Sequence, residues 1–293
     1  MVYFSLRYIC EGVLMKTLFI SDLDGTLLNK DAALSDYSIN GINSLILKGM
    51  NFTFATARSP WSVQNILKPL NITIPAVLMN GVCIYDLNNS RFIRTEGLNR
   101  SITDELFPII HEYKLSGFLY MIDNDKIVVY YESITTPHAL AFMQERIRQF
   151  GKIYVQTDCL PEHNFGSLTT VYYTVSDRIE VLTPFYERVK HIQGLRAEFY
   201  RDVYNRDLWF LEILSENASK GGAVDFIKRA YDFDRIIAFG DNINDLPLFS
   251  SADYCLAVEN AHDEIKSKAD EIIKSNTEDG VVRWLEDNYF KYV

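Results

Sequence analysis

Apolar positions along the chain fall in short blocks, and the spacing inside the blocks changes twice. Thr17–Ser21 is too uniformly apolar for a half-exposed strand and predicts one buried inside a parallel sheet. Ile39, Ile42, Leu45 and Ile46 then share one helical face, with Ser35 placed to cap the helix and Gly49 to end it. "NFTFATARS" is a second strand with a polar end, and Ser59-Pro60 opens another helix. "PAVLMNG" is a third strand, ending at Asn80-Gly81. Strand, helix, strand, helix, strand is the pattern of a doubly wound α/β sheet.

Near Cys83–Asn89 the texture changes. Ser101 with Asp104 predicts a capping box. "GFLYMIDNDKIVVYYE" predicts a hairpin around a polar turn. Thr136-Pro137 opens a helix with Leu140, Met143, Ile147 and Phe150 on one side. "KIYVQTD" and "LTTVYYTVSD" read as strands, Arg178–Ile192 as a helix, and "AEFYRDVY" with "DLWFLEIL" as a strand pair. The order is helix, hairpin, helix, strands, helix, hairpin, an α+β module with an antiparallel sheet. After Leu214 the first texture returns. Ser219 caps "SKGGAVDFIKRAY", "RIIAFGD" and "YCLAV" are strands, Asn244–Ser251 is a short helix, and Val281, Val282, Trp284 and Leu285 belong to a closing helix. The reading is a Rossmann-like α/β core at 15–83 and 206–293, interrupted by an α+β module at 84–205. Residues 1–14 make a poor signal peptide. "MKTLFISD" after them reads like a natural beginning, so Met15 is the expected start and 1–14 an extension.

Composition narrows the function. The chain has 293 residues, 48% hydrophobic and 23% charged, which suits two soluble domains. A formal net charge of -10 offers nothing global to nucleic acid or anionic lipid. No apolar run approaches the roughly 18 residues of a membrane span. The cysteines, Cys10, Cys83, Cys159 and Cys255, form no C-x-x-C pair. That argues against a disulfide scaffold or a zinc site, and suits a reducing cytoplasm. Oligomeric state is not legible.

Candidate chemistry sits at the strand ends, where doubly wound sheets bind ligands. The first strand delivers Asp22, Asp24 and Thr26, the second Thr56 and Arg58. The helix start after the insert delivers Lys220, and the next strand Gly240-Asp241 and then Asn244-Asp245. Several acids at one mouth repel unless a cation compensates, and carboxylates without His or Cys suit Mg²⁺. A lysine at a helix start suits a phosphate oxygen.

These residues resemble a family. "DLDGTLL" is similar to the first motif of the haloacid dehalogenase superfamily, and "ATARS" to its second. "ASKGGA" resembles the lysine motif of its Cof-type subfamily, and "FGDNINDLPLF" the acidic motif. "LAVENA" resembles the apolar stretch that follows. "LMNGVCIYD" fits the Asn-Gly segment where Cof-type chains leave the core, and the insert order looks like a type-IIB cap. The sequence departs from many relatives at Ala57 and Glu259, where they carry glycine, and the place of Glu259 stays open. The resemblance implies a Mg²⁺-dependent phosphatase acting on a small phosphorylated metabolite, with a sugar phosphate as the expected substrate, through an aspartyl-phosphate. It implies Asp22 as nucleophile and Asp24 as acid and base. Mg²⁺ would be bound by the Asp22 and Asp241 carboxylates and the Asp24 carbonyl, with Asp245 orienting metal waters or Lys220. Thr56, Lys220 and Asn244 would hold phosphoryl oxygens, with Ala57, Arg58, Asn80 and Gly81 as further candidates for the substrate side. Arg58 touches substrate or pairs with a neighbouring acid. A sugar-phosphate mutase and a non-catalytic binding protein on the same fold remain as alternatives.

Overall fold

Burial dictates the first element. β1 (Thr17–Ser21) has all five residues buried, and it lies between two parallel neighbours. The computed structural model describes residues 15–161, 165–166, 168–202 and 205–292. The extension expected at 1–14 lies outside the described residues. Ser35 accepts the Ser38 N–H and starts α1 (Asp36–Leu47). β2 (Asn51–Phe54), α2 (Pro60–Leu67, with proline in its first turn) and β3 (Ala76–Leu78) follow. β4 (Cys83–Asp86) and β5 (Arg91–Thr95) then form a small antiparallel sheet with β3, and the sequence pattern did not announce β5.

The insert runs α3 (Arg100–Tyr113), β6 (Phe118–Asp123), β7 (Lys126–Tyr131), α4 (Pro137–Phe150), β8 (Ile153–Gln156), β9 (Thr169–Asp177), α5 (Ile179–Val189), β10 (Leu195–Arg201) and β11 (Trp209–Ser215). Its sheet order is β10-β11-β9-β6-β7-β8, antiparallel except for the parallel β7–β8 edge. Asn124 and Asp125 both have positive φ, which closes the β6–β7 hairpin tightly. The core resumes with α6 (Lys220–Ala230), β12 (Arg235–Gly240), α7 (Leu246–Ser250), β13 (Tyr254–Val258), α8 (Asp263–Lys266), β14 (Glu271–Ile273) and α9 (Gly280–Asn288). Among the described residues no helix is long and apolar enough to cross a membrane.

The core sheet is parallel, ordered β14-β13-β12-β1-β2, and an Ala55–Val77 bridge sets β3 beside β2. From β1 the chain builds outward through β2 and β3, then returns to β12 on the other side of β1. The carboxyl ends of β1 and β12 therefore flank the switch point where such folds open a crevice. Phe19, Ile20, Phe54, Ile237 and Phe239 are fully buried in this core. Each contributes about 1.5–3 kcal/mol relative to exposure. A second cluster, with Leu106, Leu119, Leu182, Phe185 and Ile213, lies under α3 and α5.

Three details differ from the expected pattern. Asn99, not Ser101, caps α3, because its side chain reaches the Ile102 N–H. On α4, Leu140 and Ile147 are each 42% exposed. The buried side instead carries Ala139 and Phe142, whose ring stacks on Phe118 at 5.6 Å. The antiparallel sheet also runs past the boundary placed at 205. β11 pairs with β10 from Trp209 to Ser215, so a cut at 205 would split that hairpin.

Candidate active site

Asp22 directly follows β1, and its N–H donates to the Phe239 carbonyl at 2.9 Å. That bond sets it beside the end of β12, where Asp241 follows. Asp245 sits in a short 3₁₀ turn, Ile243–Asp245. Its Oδ2 accepts the N–H groups of Asp241 at 3.0 Å and Asn242 at 3.2 Å. Lys220 opens α6, whose cap Ser219 accepts the Gly222 N–H at 3.0 Å. The Lys220 side chain is 1% exposed, and Nζ donates to Asp22 Oδ1 at 2.5 Å and to Asp245 Oδ1 at 2.6 Å.

The charges are strongly coupled. Burial drives the Asp22 carboxyl well above the ordinary range against the pull of Lys220, and the Asp245 and Asp241 charges push the same way. Burial disfavours the Lys220 ammonium, but Asp22 and Asp245 outweigh it and hold its pKa up. Asp241 is raised to about 6 by burial, opposed by a hydrogen bond from Thr26 Oγ1 at 2.8 Å and assisted by the Asp245 charge.

Ligand atoms of Asp22, Asp241 and Asp245 lie within 4.8 Å of one another. Three carboxylates here face one ammonium, which leaves a formal charge of about −2 if all are ionised. Oxygen-only donors and uncompensated negative charge both fit a hard divalent cation. Gly25 lets the loop close on this group. Its φ is +85°, and an added Cβ would lie 2.3 Å from Asp241 Oδ2.

The Asp24 side chain is not part of the three-acid group. Its carboxylate takes a bidentate bond from Arg58, Nε to Oδ2 and Nη2 to Oδ1, each 2.6 Å. Of the two readings open for Arg58, the structure holds the ion pair with an acid. The Asp24 side chain is 50% exposed, so it faces the crevice rather than the core.

Thr56 is buried, and its hydroxyl accepts the Arg58 N–H at 3.2 Å. Its carbonyl accepts the Asn80 N–H at 3.0 Å, and the Arg58 carbonyl accepts the Met79 N–H at 3.0 Å. The loop after β2 is thereby stitched to the turn Met79–Gly81, whose three residues all have positive φ. A Cβ on Gly81 would lie 2.1 Å from the Ser219 carbonyl oxygen. The turn thus presses directly on the start of the helix that carries Lys220. Asn80 Oδ1 accepts from Asn244 Nδ2 at 3.3 Å, joining the third strand to the acidic loop. Ala57 and Asn244 are exposed.

Two asparagines escaped the sequence reading. Asn260 Nδ2 donates to the Gly25 carbonyl at 2.7 Å, and Asn276 Nδ2 to the Leu28 carbonyl at 2.8 Å. They pin the loop that carries both opening aspartates. Asn260 had a signal, since it follows the buried β13 much as Asp22 follows β1. Glu259 beside it is exposed.

Comparison with known proteins agrees with this architecture. A sequence model of the haloacid dehalogenase-like hydrolase family matches residues 19–285. The chain is 27% identical over 292 residues to the 5-amino-6-(5-phospho-D-ribitylamino)uracil phosphatase YwtE of Bacillus subtilis, covering 93% of this chain and 97% of that one. The crystal structure of TM0651 from Thermotoga maritima superposes with a TM-score of 0.75 at 25% identity, over 93% of this chain and 97% of that one. BT4131, named a subclass IIB sugar phosphatase, shares the fold with a TM-score of 0.68 at 18% identity, over 95% of this chain and all of that one. The full-length family match leads to one assignment, which the parallel core and the inserted antiparallel cap agree with: this chain belongs to the haloacid dehalogenase-like hydrolases, as a phosphatase of the Cof type.

Proposed function

We propose that the protein is a Mg²⁺-dependent phosphatase that hydrolyses a small phosphorylated metabolite of the sugar-phosphate class through an aspartyl-phosphate at Asp22. The observation that carries this reading is the division of labour between the two opening carboxylates. Asp22 is buried against Lys220, while Asp24 stands half-exposed beside it on Arg58.

Lys220 occupies Asp22 Oδ1 and leaves Oδ2 as the attacking atom. Attack forms an Oδ2–phosphorus bond and breaks the bond to the leaving alcohol, which takes its proton from Asp24. Water then attacks phosphorus, gives its proton to Asp24, and releases phosphate from Asp22. Asp24 has to carry a proton in the first step, so Arg58 has to release it as substrate enters. Thr56 and Asn244 would hold the phosphoryl oxygens, and their shared links to the Met79–Gly81 turn support that reading. The carboxylates of Asp22 and Asp241 would hold Mg²⁺, with the Asp24 carbonyl as a further oxygen donor, while Asp245, engaged by Lys220 and by the Asp241 and Asn242 N–H groups, orients Lys220. Bound there, the ion would supply charge neutralisation to the phosphoryl group.

The cap is proposed as the selector among substrates, and its closure as the means of excluding bulk water. The buried free thiols Cys83 and Cys255 fit a reducing cytoplasm. A phosphate-release screen over a panel of phosphorylated metabolites, with Mg²⁺ and with EDTA, tests the proposal. Metal-dependent turnover of sugar phosphates supports it. Turnover that ignores EDTA, or none on any monoester, would overturn it.

A further inference from the structure

A second group of metal-ligating side chains lies in the cap and shares no element with the acidic site. His111 stands in the last turn of α3, Glu132 directly follows β7, and Cys159 lies in the loop after β8. A ring nitrogen, a carboxylate oxygen and the cysteine sulfur all lie within 4.8 Å of one another. His111 Nδ1 is 3.0 and 3.2 Å from the two Glu132 oxygens.

The carboxylate is held from several sides. Glu132 Oε1 accepts the Leu160 N–H at 2.7 Å, and the Glu132 carbonyl accepts from Gln156 Nε2 at 3.1 Å. These bonds fix the loop so that Cys159, the neighbour of Leu160, stands beside the carboxylate. The Glu132 side chain is 10% exposed, while that of His111 is 44% exposed and leaves an approach from solvent. Tyr173 is buried nearby in the field of Glu132, and its hydroxyl has no hydrogen-bond partner among the described residues.

The donor set is nitrogen, oxygen and sulfur, unlike the oxygen-only acidic group. Thiolate with imidazole selects zinc and its borderline relatives over Mg²⁺. Bonds of about 2.0–2.3 Å around a tetrahedral zinc place ligand atoms roughly 3.3–3.7 Å apart. The His111–Glu132 pair needs to open by a few tenths of an ångström. The sulfur needs to close by at most roughly 1.5 Å. A plain His–Glu ion pair would use two of the three groups and give Cys159 no reason to converge on them.

The geometry points to a zinc-class metal site formed by His111, Glu132 and Cys159, with a fourth position open to water. The site ties the end of α3, the exit of β7 and the loop after β8 into one unit. Its ligands are too scattered along the chain for a local zinc motif, so cysteine spacing alone argued against zinc.

The test uses the full chain in saturating Mg²⁺ and a phosphine reductant, titrated with Co²⁺. A sulfur-to-cobalt charge-transfer band should appear, saturate at one equivalent and vanish when Zn²⁺ is added. The acidic group offers no sulfur, so the band separates the two sites. Cys159→Ser and His111→Ala should abolish it. Glu132→Gln should weaken Zn²⁺ binding by more than the about 10–100-fold typical of losing an outer-shell partner. Circular dichroism of each variant confirms folding. Absence of the band in the parent protein, or its persistence in Cys159→Ser, overturns the site.

Discussion

Replacing Lys220 with methionine keeps the length of the side chain and removes its charge. Two buried carboxylates, Asp22 and Asp245, then lose the ammonium that each touches within 2.6 Å. Removing one partner of a buried pair costs about 3–5 kcal/mol, because the remaining charge is stranded without water. The pH dependence has a definite sign. The folded-state pKa of Lys220 lies above its unfolded value, so its contribution is complete at pH 8 and fades only at higher pH. In the variant the stranded carboxylates take up protons as the pH falls. The deficit should therefore be greatest at pH 8 and shrink toward pH 5. Unfolding in EDTA, so that no cation substitutes for the lysine, measures it directly. For a core of this size 3–5 kcal/mol corresponds to roughly 6–20 °C in Tm. Adding Asp245→Asn should restore part of the loss, with a coupling above about 1 kcal/mol. A Lys220→Met protein within about 1 kcal/mol of the parent at pH 8, or a deficit indifferent to pH, would refute the reasoning.

Asp241 is raised to about 6 and has to lose its proton to bind a cation. Mg²⁺ affinity measured by calorimetry should thus fall about tenfold per pH unit below that value, and a flat profile from pH 7 to 5 would contradict the assignment. Glu212 in the cap is raised to about 7, by burial first and by Glu198 second. Its folded pKa exceeds its unfolded value, so the stability it contributes is present below about 4.5 and lost as the pH rises through about 7. Glu212→Gln should match the parent near pH 4 and exceed it by about 1–3 kcal/mol at pH 8, read from urea midpoints. Gly81→Ala should lose at least about 1–3 kcal/mol and most activity, because its Cβ meets the Ser219 carbonyl. Gly151→Ala is the control for positive φ alone, since none of the described residues lies within 4 Å of its added Cβ, and equal melting temperatures for the two variants would discount the contact.

The order of elements was legible because the core alternates buried strands with amphipathic helices, and the cap does not. The strand-end residues were legible because an acid after an apolar run has few structural reasons to be there. What the pattern missed depends on tertiary partners. The exposed side of α4 was misplaced because Phe142 is drawn onto Phe118, an attraction that local periodicity does not contain. The end of the insert was misplaced because hairpin pairing, not composition, decides that β11 belongs with β10. Asn260 and Asn276 act through backbone carbonyls far away in sequence. The metal-ligating trio in the cap comes from three separate elements, so no spacing reveals it.

In the proposed mechanism Asp22 is the phosphorylated nucleophile. Acid quenching of turnover with an aryl phosphate, followed by mass analysis of the peptide that contains Asp22, tests it most directly. The parent protein or Asp24→Asn should show one phosphoryl mass gain on that peptide. Asp22→Asn should fold, show no gain and turn over nothing. Near-normal turnover by Asp22→Asn, or a stable phosphoryl adduct in that variant, would contradict the account.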